Sequence, residues 1–250
     1  MHERSGLADN SRTILEVAGL SKSFGSVRAA DNVVLAVRKG EALGIIGPNG
    51  AGKSSLFNLI TGDLRPDAGE IRLNGADITR KPPHERCRAG IARSYQIPHP
   101  FENLTVFENL LVGAAYGRNK SEAEVTDACA DVLDRTGLMR RANAVASSLT
   151  LLERKRLELA RALATGPDLL LLDEIAGGLT EGECHELVET IRAINASGTT
   201  IVWIEHIVTA LLAVVSRLVV LNFGRKIAEG DPHTVMNSRE VREIYTGIEA

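Results

Sequence analysis

The stretch Gly47-Pro48-Asn49-Gly50-Ala51-Gly52-Lys53-Ser54 fits GxxxxGK[ST], and its setting constrains the fold more than any other feature of the chain. Short β-rich runs at 33–37 and Ala42–Ile46 precede it, and Lys53–Thr61 has a helical pattern, which predicts the order strand, phosphate loop, helix. Glycines let the backbone wrap an anion closely, so that successive N–H groups and the helix N-terminus point at phosphate oxygens. Lys53 brings a compact charge to the terminal phosphates and Ser54 a hydroxyl toward Mg²⁺. Asn49, Gly50, Ala51, Gly52, Lys53, Ser54 and Ser55 are the candidate nucleotide-binding residues of this loop.

A second constellation follows a buried strand. Leu169–Asp173 runs through four leucines into Asp173, with Glu174 next, as at the carboxyl edge of an open parallel sheet where ligands bind. Two acids at a strand end also form an ordinary solvated turn; beside a phosphate loop, Asp173 is the candidate Mg²⁺ carboxylate and Glu174 the candidate base for the attacking water. Thr200–Ile204 and 218–222 read as further parallel strands, and Glu181–Ala196 and 207–215 as helices, with Leu187, Ile191 and Ile194 on one face of the first. Between the strand-rich regions, 101–146 turns helical and polar, with 121–135 its clearest amphipathic segment. The expected organisation is a tail over 1–12 and one domain over 13–250, with a helical subdomain at about 97–165 inserted in the core.

A chain of 250 residues suits one such α/β domain, and a net charge of −3 gives no general reason to expect nucleic-acid binding. The three cysteines, Cys87, Cys129 and Cys184, are widely spaced and form no Cys-x-x-Cys pair, which argues against a disulfide framework and for a reducing cytoplasm. The first residues lack the apolar stretch of a secretory signal. The greasiest segment, 210–221, is broken by Ser216 and Arg217 and is shorter than the about 20 residues a membrane span needs, so any membrane role is expected through a partner.

With these motifs the chain resembles the ATP-binding-cassette family over about residues 15–235. The resemblance implies a P-loop NTPase core with a mostly parallel central sheet, an antiparallel β subdomain and an inserted α-helical subdomain. Phe24, in Ser21-Lys22-Ser23-Phe24-Gly25, matches the family's adenine-stacking aromatic, and Gln96, after Arg93-Ser94-Tyr95, the glutamine that reaches Mg²⁺ and the attacking water. His206, ending Ile201-Val202-Trp203-Ile204-Glu205-His206, matches the switch histidine at the γ-phosphate. The implied catalytic set is Glu174, His206 and Gln96, the metal set Ser54, Gln96 and Asp173, and the cofactors ATP and Mg²⁺.

One segment departs from the family pattern. Where Leu-Ser-Gly-Gly-Gln is usual, the chain has Leu149-Thr150-Leu151-Leu152-Glu153, the segment that in family dimers reaches the other subunit's nucleotide. Thr150 keeps the hydroxyl, but two leucines add bulk and Glu153 replaces a neutral amide with a charge. Ile175-Ala176-Gly177-Gly178-Leu179-Thr180 also lacks the usual Pro and terminal Asp. Both changes suit an asymmetric heterodimer in which a different cassette supplies an intact segment, although a homodimer stays open. Within the family the chain looks like the ATPases of branched-chain amino acid importers, through residues 95–111, Ala176-Gly177-Gly178-Leu179 and 240–248. The expected partners are permease subunits, a second cassette ATPase and, through the permease, a solute-binding protein, with the chain peripheral on the inner face of the cell membrane. A lipopolysaccharide-type exporter ATPase, similar at His84-Glu85-Arg86, is the alternative. A soluble cassette ATPase and a subunit that binds ATP without hydrolysing it are further readings.

Overall fold

In the computed structural model, which describes residues 13–246, the strands along the chain are β1 (Thr13–Phe24), β2 (Val27–Arg38), β3 (Ala42–Ile46), β4 (Ala68–Leu73), β5 (Ala76–Asp77), β6 (Ile91–Ser94), β7 (Leu169–Asp173), β8 (Thr200–Ile204), β9 (Arg217–Asn222) and β10 (Arg225–Gly230). The helices are α1 (Lys53–Thr61), α2 (Pro83–Arg88), α3 (Val106–Arg118), α4 (Glu122–Arg135), α5 (Leu151–Ala164), α6 (Glu181–Ala196), α7 (Val208–Leu212), α8 (Pro232–Asn237) and α9 (Arg239–Thr246). The expected tail over 1–12 and the end of the 240–248 segment lie outside the described residues.

Strands buried on both faces need apolar side chains at every position, and β3, β7 and β8 are buried throughout. They form the centre of a six-stranded sheet ordered β10-β9-β3-β8-β7-β6, parallel except for the β9–β10 hairpin. Their side chains alternate between two cores. Leu43, Ile45, Leu169, Leu171, Val202 and Ile204 pack toward the second sheet and α1, while Ile46, Leu170, Leu172, Ile201 and Trp203 pack toward α3, α4, α5 and α6. This is the mostly parallel core flanked by an antiparallel sheet and helices that the family resemblance implies. The second sheet is antiparallel, ordered β2-β1-β4-β5.

Two expectations need adjustment. The run at 33–37 is the inner part of a longer strand, β2, paired with β1, whose register shifts several times between Thr13 and Ser23. Such irregularities, together with one solvated face, break the period that marks a strand in sequence. The helix expected over 207–215 is confined to Val208–Leu212, because the chain must turn to bring Ser216 N–H onto Ala42 O at 2.9 Å, ahead of β9.

Three helices, α3, α4 and α5, lie between β6 and β7 in the chain. Thr105 begins α3 and Thr150 begins α5, each hydroxyl accepting from the N–H three residues on while the Glu there accepts from the threonine N–H. The loop before α3 is fastened by buried Asn109, whose amide oxygen accepts from Phe101 N–H at 2.8 Å and whose amide N–H donates to Thr105 O at 2.9 Å. The three cysteines are free.

Candidate functional site

All of the candidate chemistry except Phe24 and the segment 149–153 sits at the carboxyl ends of neighbouring parallel strands: the phosphate loop after β3, Glu205 and His206 after β8, Asp173 and Glu174 at β7, Gln96 after β6. The loop is shaped by close backbone approach. A Cβ on Gly47 would stand 2.2 Å from Leu221 O, and one on Gly52, which has φ +100°, 2.2 Å from Ala29 O. No side chain fits either place. Lys53 opens α1, is buried, and donates from Nζ to Gly47 O at 2.7 Å and Pro48 O at 3.1 Å. Among the described residues no carboxylate lies within ion-pair distance of it. Burial lowers its pKa, opposed by the charges of Glu174 and Asp173. With no acid in the first turn of α1, the loop end of this helix keeps its positive partial charge for an anion. Asn49 and Ser54 are exposed, and Ser55 is half-buried.

The structure brings Gln96, Glu174 and His206 into contact. Glu174 sits at φ +48° with its N–H donating to Ile204 O at 2.8 Å, which aims the residue back across β8. Gln96 Nε2 donates to its Oε2 at 2.5 Å and His206 Nε2 to its Oε1 at 2.7 Å. Asp173, 6% exposed, accepts instead from Arg93 Nη2 at 2.5 Å. Phe24 stands apart at the β1–β2 turn, half-exposed, with Lys22 Nζ 5.6 Å from its ring centroid.

The segment 149–153 also stands apart, with no hydrogen bond or ion pair to Lys53, Asp173, Glu174 or His206 among the described residues. Its two leucines differ: Leu152 is 8% exposed and belongs to the core, while Leu151 is 44% exposed and lies beside Gly178. Helical spacing turns one inward, so the added surface bulk is Leu151's alone. Glu153 caps α5, accepting from Thr150 N–H at 2.9 Å, and Arg141 Nε pairs with it at 3.0 Å.

Three supporting residues escaped the sequence reading. Buried Glu205 accepts from Ala176 N–H at 3.1 Å and His206 N–H at 2.9 Å, tying the loop after Glu174 to the histidine. Lys155 on α5 donates to Gln96 O at 2.6 Å, and Arg161 to His99 O at 2.8 Å. An acid at the end of an apolar strand was a signal for Glu205; Lys155 and Arg161 sit in a charged helix with nothing local to single them out.

The family model described as ABC transporter matches residues 30–177. This chain belongs to the ABC transporter family. It is 37% identical to the high-affinity branched-chain amino acid transport ATP-binding protein LivG of Salmonella typhimurium, over 95% of this chain and 99% of that protein. It is 35% identical to the corresponding BraF protein of Pseudomonas aeruginosa, over 95% and 99%. Among solved structures it resembles a nucleotide-free ATP-binding cassette from an ABC transporter, with 33% identity, TM-score 0.85, and 95% and 100% of the two chains covered. Another ABC transporter cassette, in its ADP conformation, aligns with 34% identity, TM-score 0.86, and 94% and 99% covered. The cassette is thus an ATP-binding and ATP-hydrolysing subunit of a membrane transporter, a class whose ATPases work as dimers with permease components.

Proposed function

We propose that this cassette powers an importer of branched-chain amino acids or similar small polar solutes. The observation that carries the reading is full-length similarity to LivG and BraF, joined to a Glu174 carboxylate shared by Gln96 at 2.5 Å and His206 at 2.7 Å. Glu174 takes the proton of the attacking water as that oxygen bonds to the γ-phosphorus; the bond to the bridging oxygen breaks, leaving ADP and inorganic phosphate. Gln96 and His206 hold the carboxylate in place, and His206 answers the γ-phosphate. Lys53 and the amides of Asn49, Gly50, Ala51, Gly52, Ser54 and Ser55 bind the phosphates, and Phe24 carries the adenine.

The donors fit Mg²⁺. Among the described residues no group of three or more His, Cys, Asp or Glu could hold a metal ion, and Mg²⁺ in nucleotide sites takes only one or two carboxylates beside other oxygens, phosphate and water. Ser54, Gln96 and Asp173 supply such oxygens. An Mg²⁺ ion held by these residues would supply positive charge to the bound phosphates.

No helix among the described residues is long and apolar enough to cross a membrane. The similarity to transporter ATP-binding subunits supports a peripheral place on the inner face of the membrane, beside a permease. A cavity of about 330 Å³ between α2, α3, α5 and β6, lined by Tyr95, Arg93 and Glu158 among others, is the seat for a cytoplasmic permease helix, with Phe101 and Phe107 at the nearby loop and α3. The second cassette is a different subunit, because Leu151 and Glu153 disfavour the trans contact. Affinity capture of the tagged chain from detergent-solubilised membranes tests this. Two permeases and a cassette with an intact Leu-Ser-Gly-Gly-Gln segment are expected; recovery with export-type membrane proteins overturns the importer reading.

A further inference from the structure

Arg93, which also lines the cavity between α2, α3, α5 and β6, is a buried cation touching Asp173 that the chemistry above does not use. It projects from β6, and its side chain and that of Asp173 are each 8% exposed. Its guanidinium makes two short contacts: Nη2 donates to Asp173 Oδ2 at 2.5 Å, and Nη1 to Asn58 Oδ1 at 2.5 Å. Asn58 lies on α1, the helix that begins with Lys53 and Ser54, whereas Asp173 ends β7. The guanidinium also lies against two rings, its central carbon 5.5 Å from the Phe57 ring centroid and 5.1 Å from that of Tyr95.

We propose that Arg93 is a positioning residue for the magnesium carboxylate. By holding one oxygen of Asp173 while gripping α1 through Asn58, it fixes the other oxygen relative to the Ser54 hydroxyl, so the two metal donors keep one spacing. The inference rests on the reading of Asp173 as a Mg²⁺ residue. A planar fork is needed for this: an ammonium at the same place offers a point charge and cannot hold two separate, fixed donors on both partners. A buried ion pair adds little net stability, which leaves geometry as what the pair supplies.

The test is a Mg²⁺ titration of non-hydrolysable fluorescent ATP analogue binding to the full chain, with thermal unfolding in parallel. In Arg93→Lys, nucleotide affinity without metal stays within about twofold, while half-saturation by Mg²⁺ rises about tenfold, the usual penalty for losing a partner of a metal ligand. Asn58→Ala, which keeps the ion pair and removes the bridge to α1, shifts Mg²⁺ in the same direction and carries the test should Arg93→Lys fail to fold. Unchanged Mg²⁺ half-saturation in a folded Arg93→Lys or Asn58→Ala protein overturns the proposal. Asp173→Asn is the separate control: if it leaves the Mg²⁺ dependence untouched, the assignment of Asp173 to the metal fails instead.

Discussion

Glu174 holds a left-handed backbone conformation, φ +48°, that costs a non-glycine residue of order 1 kcal/mol or more. Its N–H bond to Ile204 O and its two side-chain partners over-determine that conformation and make the carboxylate a fixed acceptor between Gln96 and His206. Glu174→Gln keeps the shape and removes the base, so phosphate release falls about 10²- to 10⁴-fold while nucleotide binding persists. Turnover within tenfold of wild type would exclude Glu174 as the base.

Glu158 is a different kind of acid. Its side chain is 9% exposed beside Arg161, and burial raises its pKa, opposed by Arg161 and by backbone N–H groups of Tyr95 and His99. A folded-state pKa raised above the unfolded value means that the folded chain holds this proton more tightly. The associated stability is present in acid and is lost as pH rises through the raised value. Glu158→Gln, neutral at every pH, is therefore expected to gain in melting temperature over wild type at neutral pH, with the gain shrinking as pH falls through the carboxyl's raised range. Parallel thermal melts from pH 8 to pH 5 check this, and a gain that grew on acidification would contradict it.

At the scale of elements, α5 does two jobs with one helix. Its middle anchors the loop after β6 through Lys155 and Arg161, and its start carries the Thr150–Glu153 cap. Thr150→Ala removes the hydroxyl acceptor at the N-cap and is expected to cost about 1 kcal/mol in denaturant unfolding. Glu153→Gln retains an acceptor but removes the charge that faces Arg141. On the proposed trans contact, an anion at this helix start opposes a partner's γ-phosphate, so Glu153→Gln should strengthen ATP-dependent pairing of cassettes several-fold. Titrating labelled cassettes by fluorescence energy transfer measures this, and unchanged pairing would mean that the carboxylate is no obstacle.

At the scale of the molecule, the proposed chemistry requires two cassettes around each nucleotide. With hydrolysis blocked by Glu174→Gln, ATP is expected to shift the chain, alone or mixed with its partner cassette, toward a dimer in sedimentation velocity, and ADP is not, because the γ-phosphate contacts close the interface. A monomer under both nucleotides with either partner would remove closure from the mechanism.

Local pattern alone located the phosphate loop and its helix, the leucine strand ending in Asp173 and the strand ending at Ile204, because each is a continuous run whose period or composition has one structural reading. Glu174 was singled out by its place after the leucine strand, whereas Gln96 and His206, each separated by one residue from the end of β6 or β8, were singled out only by the resemblance to the family, since a lone Gln or His near a strand end has no single reading. What tertiary structure alone decided are pairings across 59 to 80 residues of chain, from Lys155 to Gln96 and from Arg93 to Asp173, and the inward turn of Leu152 against the outward turn of Leu151. A charged side chain carries no mark of its partner in sequence. That partner is fixed only when β6, β7 and β8 stack side by side and their carboxyl ends meet at one edge.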